Sequence, residues 1–136
     1  MSVRILLVDD HAVVRQGIRS LLEDGERWKI FYEASNGQEA VEKAIRLNPD
    51  LILMDISMPV MNGIEAIRQI HGRLPNTKIV VLTMHDSPQM AEQARHAGAS
   101  ACLLKSDSPE NLRHAIAAVL RPATTSPASV LPFSLS

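Results

Sequence analysis

Five residues of this 136-residue chain carry reactive groups at the ends of apolar runs. They are Asp9 and Asp10 after Val3 to Val8, Asp55 after Leu51 to Met54, Thr83 after Ile79 to Leu82, and Lys105 after Ala101 to Leu104. If those runs are parallel strands, their carboxyl ends gather three carboxylates, a hydroxyl and an ammonium in one cleft. Clustered carboxylates repel, and some must take up protons unless a cation joins them. Lys105 supplies one positive charge and leaves about two negative charges unbalanced, a remainder that a divalent ion cancels. All-oxygen ligands with no neighbouring cysteine favour Mg²⁺. A hard cation, a lysine and a hydroxyl around one carboxylate are the parts of a phosphoryl-transfer site, where positioning and charge neutralisation dominate. Aspartate is itself an established phosphoryl acceptor.

The elements that must position these groups are legible as alternating patterns. Apolar runs recur at Val3 to Val8, Ile30 to Tyr32, Leu51 to Met54, Ile79 to Leu82 and Ala101 to Leu104. The gaps between them hold one helix and two tight loops each. Runs without polar alternation suit strands covered on both faces. The first helix carries Val14, Ile18, Leu21 and Leu22 at spacings of three and four. The second opens on Asn36 with Glu39 three residues later, a capping-box pattern, and stops at Asn48-Pro49. The third runs from about Gly63 to Leu74, and the fourth follows Asp86 and ends on Gly98 with a left-handed cap. The fifth starts at Ser108-Pro109 with proline at its first position. Five strands and five helices predict an α/β fold, a (βα)5 doubly wound parallel sheet of flavodoxin-like order 2-1-3-4-5. Ligands in such sheets bind beyond the carboxyl ends of the strands.

Composition excludes several functions. The net charge of −1 and the pI of about 6.5 argue against a basic face and direct contact with nucleic acid. Aromatic residues, 3% of the chain, are too few for a base-stacking platform. The lone Cys102 forms no internal disulfide and reads as a buried apolar thiol. No apolar run approaches the roughly 20 residues of a membrane span, and Asp9 and Asp10 come too early for a signal peptide. A reducing cytoplasm is therefore the expected location. Residues 1–121 form the expected domain. Residues 122–136 hold three prolines and six Ser or Thr with no charge, and read as an unstructured tail or linker.

The pocket residues and their neighbours resemble the receiver domains of bacterial two-component response regulators. The stretches that carry the likeness are Leu6 to His11, Leu53 to Pro59 with Asn62-Gly63, Val81 to Asp86, and Leu103 to Lys105. Val13, Val14, Arg15, Gly17 and Leu21 look most like the NarL/FixJ subfamily, whose receivers precede a LuxR-type DNA-binding module. The resemblance implies a phosphorelay switch rather than a turnover enzyme, although it assists its own phosphorylation and hydrolysis. By the family pattern, Asp55 is the phosphoacceptor and a sensor histidine kinase the partner. Asp10, Asp55 and the backbone carbonyl of Ser57 ligate Mg²⁺, with Asp9 acting mostly through water. Lys105 pairs with Asp55, Thr83 donates to the new phosphoryl group, and Ser57 and His85 flank the attacking water in dephosphorylation. A homodimer formed on phosphorylation is one expected readout, with transcription as the controlled output.

Other readings compete. Asp9 or Asp10 alone could cap the first helix, and His11, His71, His96 and His114 read as surface or loop residues. A phosphatase of the haloacid-dehalogenase type wants a second acid where His11 stands. A flavodoxin-like small-molecule binder wants a glycine- or hydroxyl-rich loop where Asp9-Asp10-His11 would repel phosphate. A pseudo-receiver that works without phosphorylation is the main alternative. Cys102, in the place of the switch aromatic, keeps that alternative open, and a second departure from the family is Ser106 after Lys105, where proline is common. No second periodic segment follows Arg121, so the chain reads as a single-domain regulator or as the receiver part of a longer transcription factor.

Overall fold

The computed structural model describes residues 3–23, 28–56, 63–84, 87–105 and 109–120. Strands and helices alternate along them: β1 (Val3–Val8), α1 (Ala12–Leu22), β2 (Trp28–Ala34), α2 (Gly37–Leu47), β3 (Leu51–Asp55), α3 (Gly63–Arg73), β4 (Lys78–Thr83), α4 (Pro88–Ala97), β5 (Ala101–Leu104) and α5 (Pro109–Val119). All strand pairs are parallel, in the order β2-β1-β3-β4-β5. This is the expected doubly wound, flavodoxin-like sheet. The boundaries of β1 and β5 coincide with their apolar runs. β3 and β4 each gain polar ends, so Asp55 and Thr83 are the last residues of their strands rather than the first beyond them.

Central strands are sealed on both faces: every residue of β3 is buried. Their side chains divide by alternation. Leu6, Val8, Ile52, Met54, Ile79 and Val81 face α2, α3 and α4. Ile5, Leu7, Leu51, Leu53, Val80 and Leu82 face α1 and α5. The edge strand β2 is longer than the apolar run Ile30 to Tyr32, because pairing with β1 sets its ends and admits Trp28, Lys29, Glu33 and Ala34. It also carries a bulge: Ile5 pairs with Ile30 but Leu6 pairs with Tyr32, leaving Phe31 as an extra residue. Ile30 consequently packs on the α1/α5 side and Ala34 on the other.

Local signals fix the helix ends. Asn36 caps α2, its side chain accepting from the Glu39 N–H at 2.8 Å. Glu39 returns its carboxylate to the N–H of Ser35 at 2.8 Å, one residue earlier than a capping box requires. Asn48 ends α2 in a left-handed conformation (φ 51°), so Pro49 follows a reversed backbone rather than an extended one. Ser87 caps α4 and Pro88 opens it. Gly98 closes α4 at φ 125°, on the positive side expected but beyond the usual left-handed well, and the ring of His71 would collide with any Cβ there. Among the described residues, no helix is long and apolar enough to cross a membrane.

Candidate functional site

The carboxyl edge of the sheet is built by strands that run out of apolar residues together. Asp9 extends the β1–β2 ladder by one step, its N–H donating to the Ala34 carbonyl at 3.0 Å. Lys105 extends the β4–β5 ladder in the same way, its N–H donating to the Thr83 carbonyl at 2.7 Å. Because these ladders continue, the backbone N–H groups of Asp9 and Lys105 are held by hydrogen bonds, while the peptide from Asp9 to Asp10 lies just beyond the ladder. Asp9, Asp55 and Thr83 are buried polar residues at this edge. Gly63 holds the return of the chain after Asp55: its N–H reaches the Ile56 carbonyl at 3.4 Å, and a Cβ would overlap Ile56 Cα.

Lys105 joins two strands' carboxylates. Its Nζ lies 2.8 Å from Asp9 Oδ2 and 3.0 Å from Asp55 Oδ2, with only 12% of the side chain exposed. Burial pulls the lysine's pKa down, but hydrogen bonds with Asp9 and Asp55 outweigh it and raise the pKa overall, so the ammonium stays charged. Asp9 thus meets Lys105 directly, a pairing that the expected ligand roles did not include. Asp9 Oδ1 accepts from the His11 N–H at 2.9 Å and lies 3.2 Å from His11 Nδ1. His11 is the N-cap residue of α1, with no side-chain capping bond, so neither aspartate caps that helix.

The donor set suits a hard cation. One atom each from Asp9, Asp10, His11 and Asp55 lie within 4.8 Å of one another. Asp10 Oδ1 is a buried carboxylate oxygen that receives no well-aligned hydrogen bond, its neighbour being His11 Nδ1 at 2.9 Å. A buried acceptor in that state is costly unless something positive completes it. Carboxylate oxygens in excess of nearby cations fit Mg²⁺, the ion that the resemblance implies here. His11 is exposed, as its sequence context suggests, yet its ring turns into the cluster.

Thr83 donates its hydroxyl to the Met90 sulfur at 3.8 Å, a weak acceptor. Cys102 is half-buried against the α2/α3/α4 cluster rather than fully enclosed, and burial pushes its thiol up. His71, His96 and His114 are exposed, and His96 pairs with Glu92 at 3.0 Å. Ser57, His85 and Ser106, and the tail 122–136, lie outside the described residues.

Sequence reasoning missed a polar seam beneath the pocket. Arg15 of α1 donates through Nη1 to the Asp9 carbonyl and through Nε to Glu33 Oε1 at 2.9 Å. Arg19 completes it, its Nη2 lying 2.7 Å from Glu33 Oε2. Arg19's hydrogen bond, against burial and with help from Arg15, holds the Glu33 carboxyl below its ordinary pKa. Arg15 and Arg19 stand four apart and so share one helix face, a signal that was available. Their partner sits on another element.

A family model described as the response regulator receiver domain matches residues 5–117. Transcriptional regulatory protein YdfI of Bacillus subtilis (strain 168) is 42% identical over 118 residues, covering 87% of this chain and 55% of that protein. Response regulator UvrY of Escherichia coli (strain K12) is 40% identical over 117 residues, covering 86% and 54%. This chain therefore spans about half the length of the curated relatives it matches. A LuxR-family two-component response regulator from Aurantimonas sp. SI85-9A1 superposes with a TM-score of 0.84 at 38% identity, covering 88% of this chain and 86% of that one. The response regulator domain of Thermotoga maritima CheB gives 0.82 at 30%, covering 90% and 100%. With sheet order, pocket and relatives in agreement, the chain belongs to the response regulator receiver domains of two-component systems, among relatives of the LuxR/NarL type.

Proposed function

We propose that Asp55 accepts a phosphoryl group from a phosphohistidine of a sensor histidine kinase, or from a small phosphodonor. One Asp55 carboxylate oxygen forms the O–P bond while the P–N bond of the phosphohistidine breaks. The departing imidazole keeps the electron pair and takes up a proton. Lys105, already 3.0 Å from Asp55 Oδ2, neutralises charge first on the carboxylate and then on the phosphoryl oxygens. Asp10, Asp55 and the backbone carbonyl of Ser57 would hold Mg²⁺, with Asp9 behind them against Lys105. When bound, the ion neutralises phosphoryl charge that the aspartates would otherwise repel. Thr83 gives up its weak sulfur contact, donates to the new phosphoryl group and draws its loop inward.

The observation that carries this reading is the buried Asp9–Lys105–Asp55 pairing at the carboxyl edge, beside Asp10. A partner-binding role independent of phosphorylation is not favoured, since it leaves costly buried charges without a purpose. We read residues 1–121 as the receiver and 122–136 as a tail or linker, working in the cytoplasm. The output is transcriptional, after the relatives that are named transcriptional regulatory proteins, and a homodimer is one route to it. The test is intact mass after incubation with acetyl phosphate and Mg²⁺, beside an Asp55→Ala control. Gain of one phosphoryl group in the wild type alone is the expected result; no gain in either sinks the proposal.

A further inference from the structure

The first helix reaches the acidic pocket through its backbone. The Asp9 carbonyl belongs to the peptide that joins Asp9 to Asp10, and Arg15 Nη1 donates to it. One hydrogen bond therefore orients the link between two of the three carboxylates. The guanidinium is itself held from its other side, with Nε 2.9 Å from Glu33 Oε1 and only 19% of the side chain exposed. A planar fork stretched between two fixed acceptors loses little freedom on forming either bond. Glu33 also settles a conflict of charge. An arginine this close to the pocket would repel a cation, but Glu33 neutralises it, while Glu23 lies 3.3 Å from Arg19.

We propose that Arg15, held by Glu33, is a positioning residue that sets the affinity of the acidic pocket for its divalent cation. This rests on the reading of the pocket as a Mg²⁺-assisted phosphoryl acceptor. Left to themselves, Asp9 and Asp10 repel, and the peptide between them can turn to splay the carboxylates. Arg15 fixes that peptide in advance, so an arriving ion meets oxygens already gathered.

The test uses the full chain with Mn²⁺ as an electron paramagnetic resonance probe and Mg²⁺ as the competing ion. Arg15→Ala is expected to weaken Mg²⁺ binding about tenfold. Arg15→Lys regains part of the loss, because an ammonium can reach the Asp9 carbonyl but cannot bridge to Glu33 in the same geometry. Arg19→Ala is the control for general loosening. It removes contacts to Glu33, Glu23 and the Ile30 carbonyl from the same seam but none to Asp9. Its affinity should stay within about twofold of wild type. Thermal melts of the three variants check that each is folded. Equal affinity in Arg15→Ala and wild type overturns the inference, and so does an Arg19→Ala loss as large as that of Arg15→Ala. Acetyl phosphate uptake by the wild type runs alongside. A wild type that binds the ion and gains the phosphoryl group, with Arg15→Ala binding as tightly, overturns this inference alone. A wild type that does neither overturns the reading of the pocket and this inference with it.

Discussion

On one side of the sheet, α2, α3 and α4 lie close together. Ala40, Ala44, Ala66, Ala94 and Ala97 are buried there, small enough to let the helices approach while Ile67 and Ile70 fill the space beneath. On the other side, α1 and α5 leave between them an open groove of about 370 Å³ whose walls include Val14, Gly17, Ile18, Leu21, Met84 and Leu112. Of α1's own residues only Leu22 is fully buried. Much of that helix's attachment is polar: the Arg15–Glu33–Arg19 seam, and Arg113 of α5 donating to the Leu21 carbonyl at 2.6 Å. The three-helix side has a surface groove of its own, about 390 Å³ between α3 and α4, but beneath it the buried alanines let the helices meet directly, and densely packed interiors resist small displacements. The two-helix side has room to adjust, and its groove extends to Lys105 at the pocket. The two faces of one sheet thus hold their helices differently, one mainly by apolar packing and the other largely through α1's polar contacts.

The largest expected effect contrasts the two packings directly. Ile67→Ala on α3 empties a fully buried site and should destabilise the domain by about 3–4 kcal/mol. Leu21→Ala, beside the open groove, should cost about 1–1.5 kcal/mol, because less surface is removed from water. Urea unfolding measures both, and equal losses would erase the distinction. A second effect tests whether α1 is held by charge. Glu33→Gln should cost about 1 kcal/mol near neutral pH. The folded-state pKa of Glu33 is depressed, so its contribution is complete above the unfolded value and disappears as pH falls through the folded one. The wild-type and Glu33→Gln unfolding curves should therefore converge only in acid, once the pH has fallen past the ordinary glutamate range and through the depressed folded value. A gap that persists there would assign the attachment to packing instead. The smallest effect has the opposite sign. Gly17 lies exposed in mid-helix, and a Cβ at that position would meet nothing within 4 Å. Gly17→Ala should therefore stabilise by about 0.5–1 kcal/mol in a thermal melt.

Much of this was legible in the residue order, and the exceptions share a cause. The bounds of β1 and β5 are readable because each is a run whose apolar side chains are demanded by burial. The gathering of Asp9, Asp10, Asp55, Thr83 and Lys105 follows from parallel topology alone, since every strand must then end on the same edge. The full length of β2 was not readable. Its added residues Lys29 and Glu33 answer to the ladder with β1 and not to a surrounding core. The bond from Arg15 to Glu33 spans 18 positions and exists only because α1 lies beside β2. The direct Asp9–Lys105 pair reaches from the end of β1 to the end of β5, past β3 and β4, and hydropathy carries no trace of it. The exposure of His11 is readable from its polar surroundings, but exposure does not say which way a ring turns.

Phe31 supplies a consequence that reaches well beyond its own strand. Strand side chains alternate, so residues 30 and 34 would ordinarily point the same way; the additional residue shifts the phase between them. Downstream of it, Glu33 shares the orientation of Leu7, toward α1, while Ala34 turns to the opposite layer with Val8. Strict one-for-one pairing of the same residues from Ile30 onward would instead set Glu33 beside Val8. Its carboxylate would then aim at α2, stranding two arginines on the helix they anchor. An irregularity at the rim of the sheet thus reaches, through Glu33 and Arg15, the peptide that joins Asp9 to Asp10.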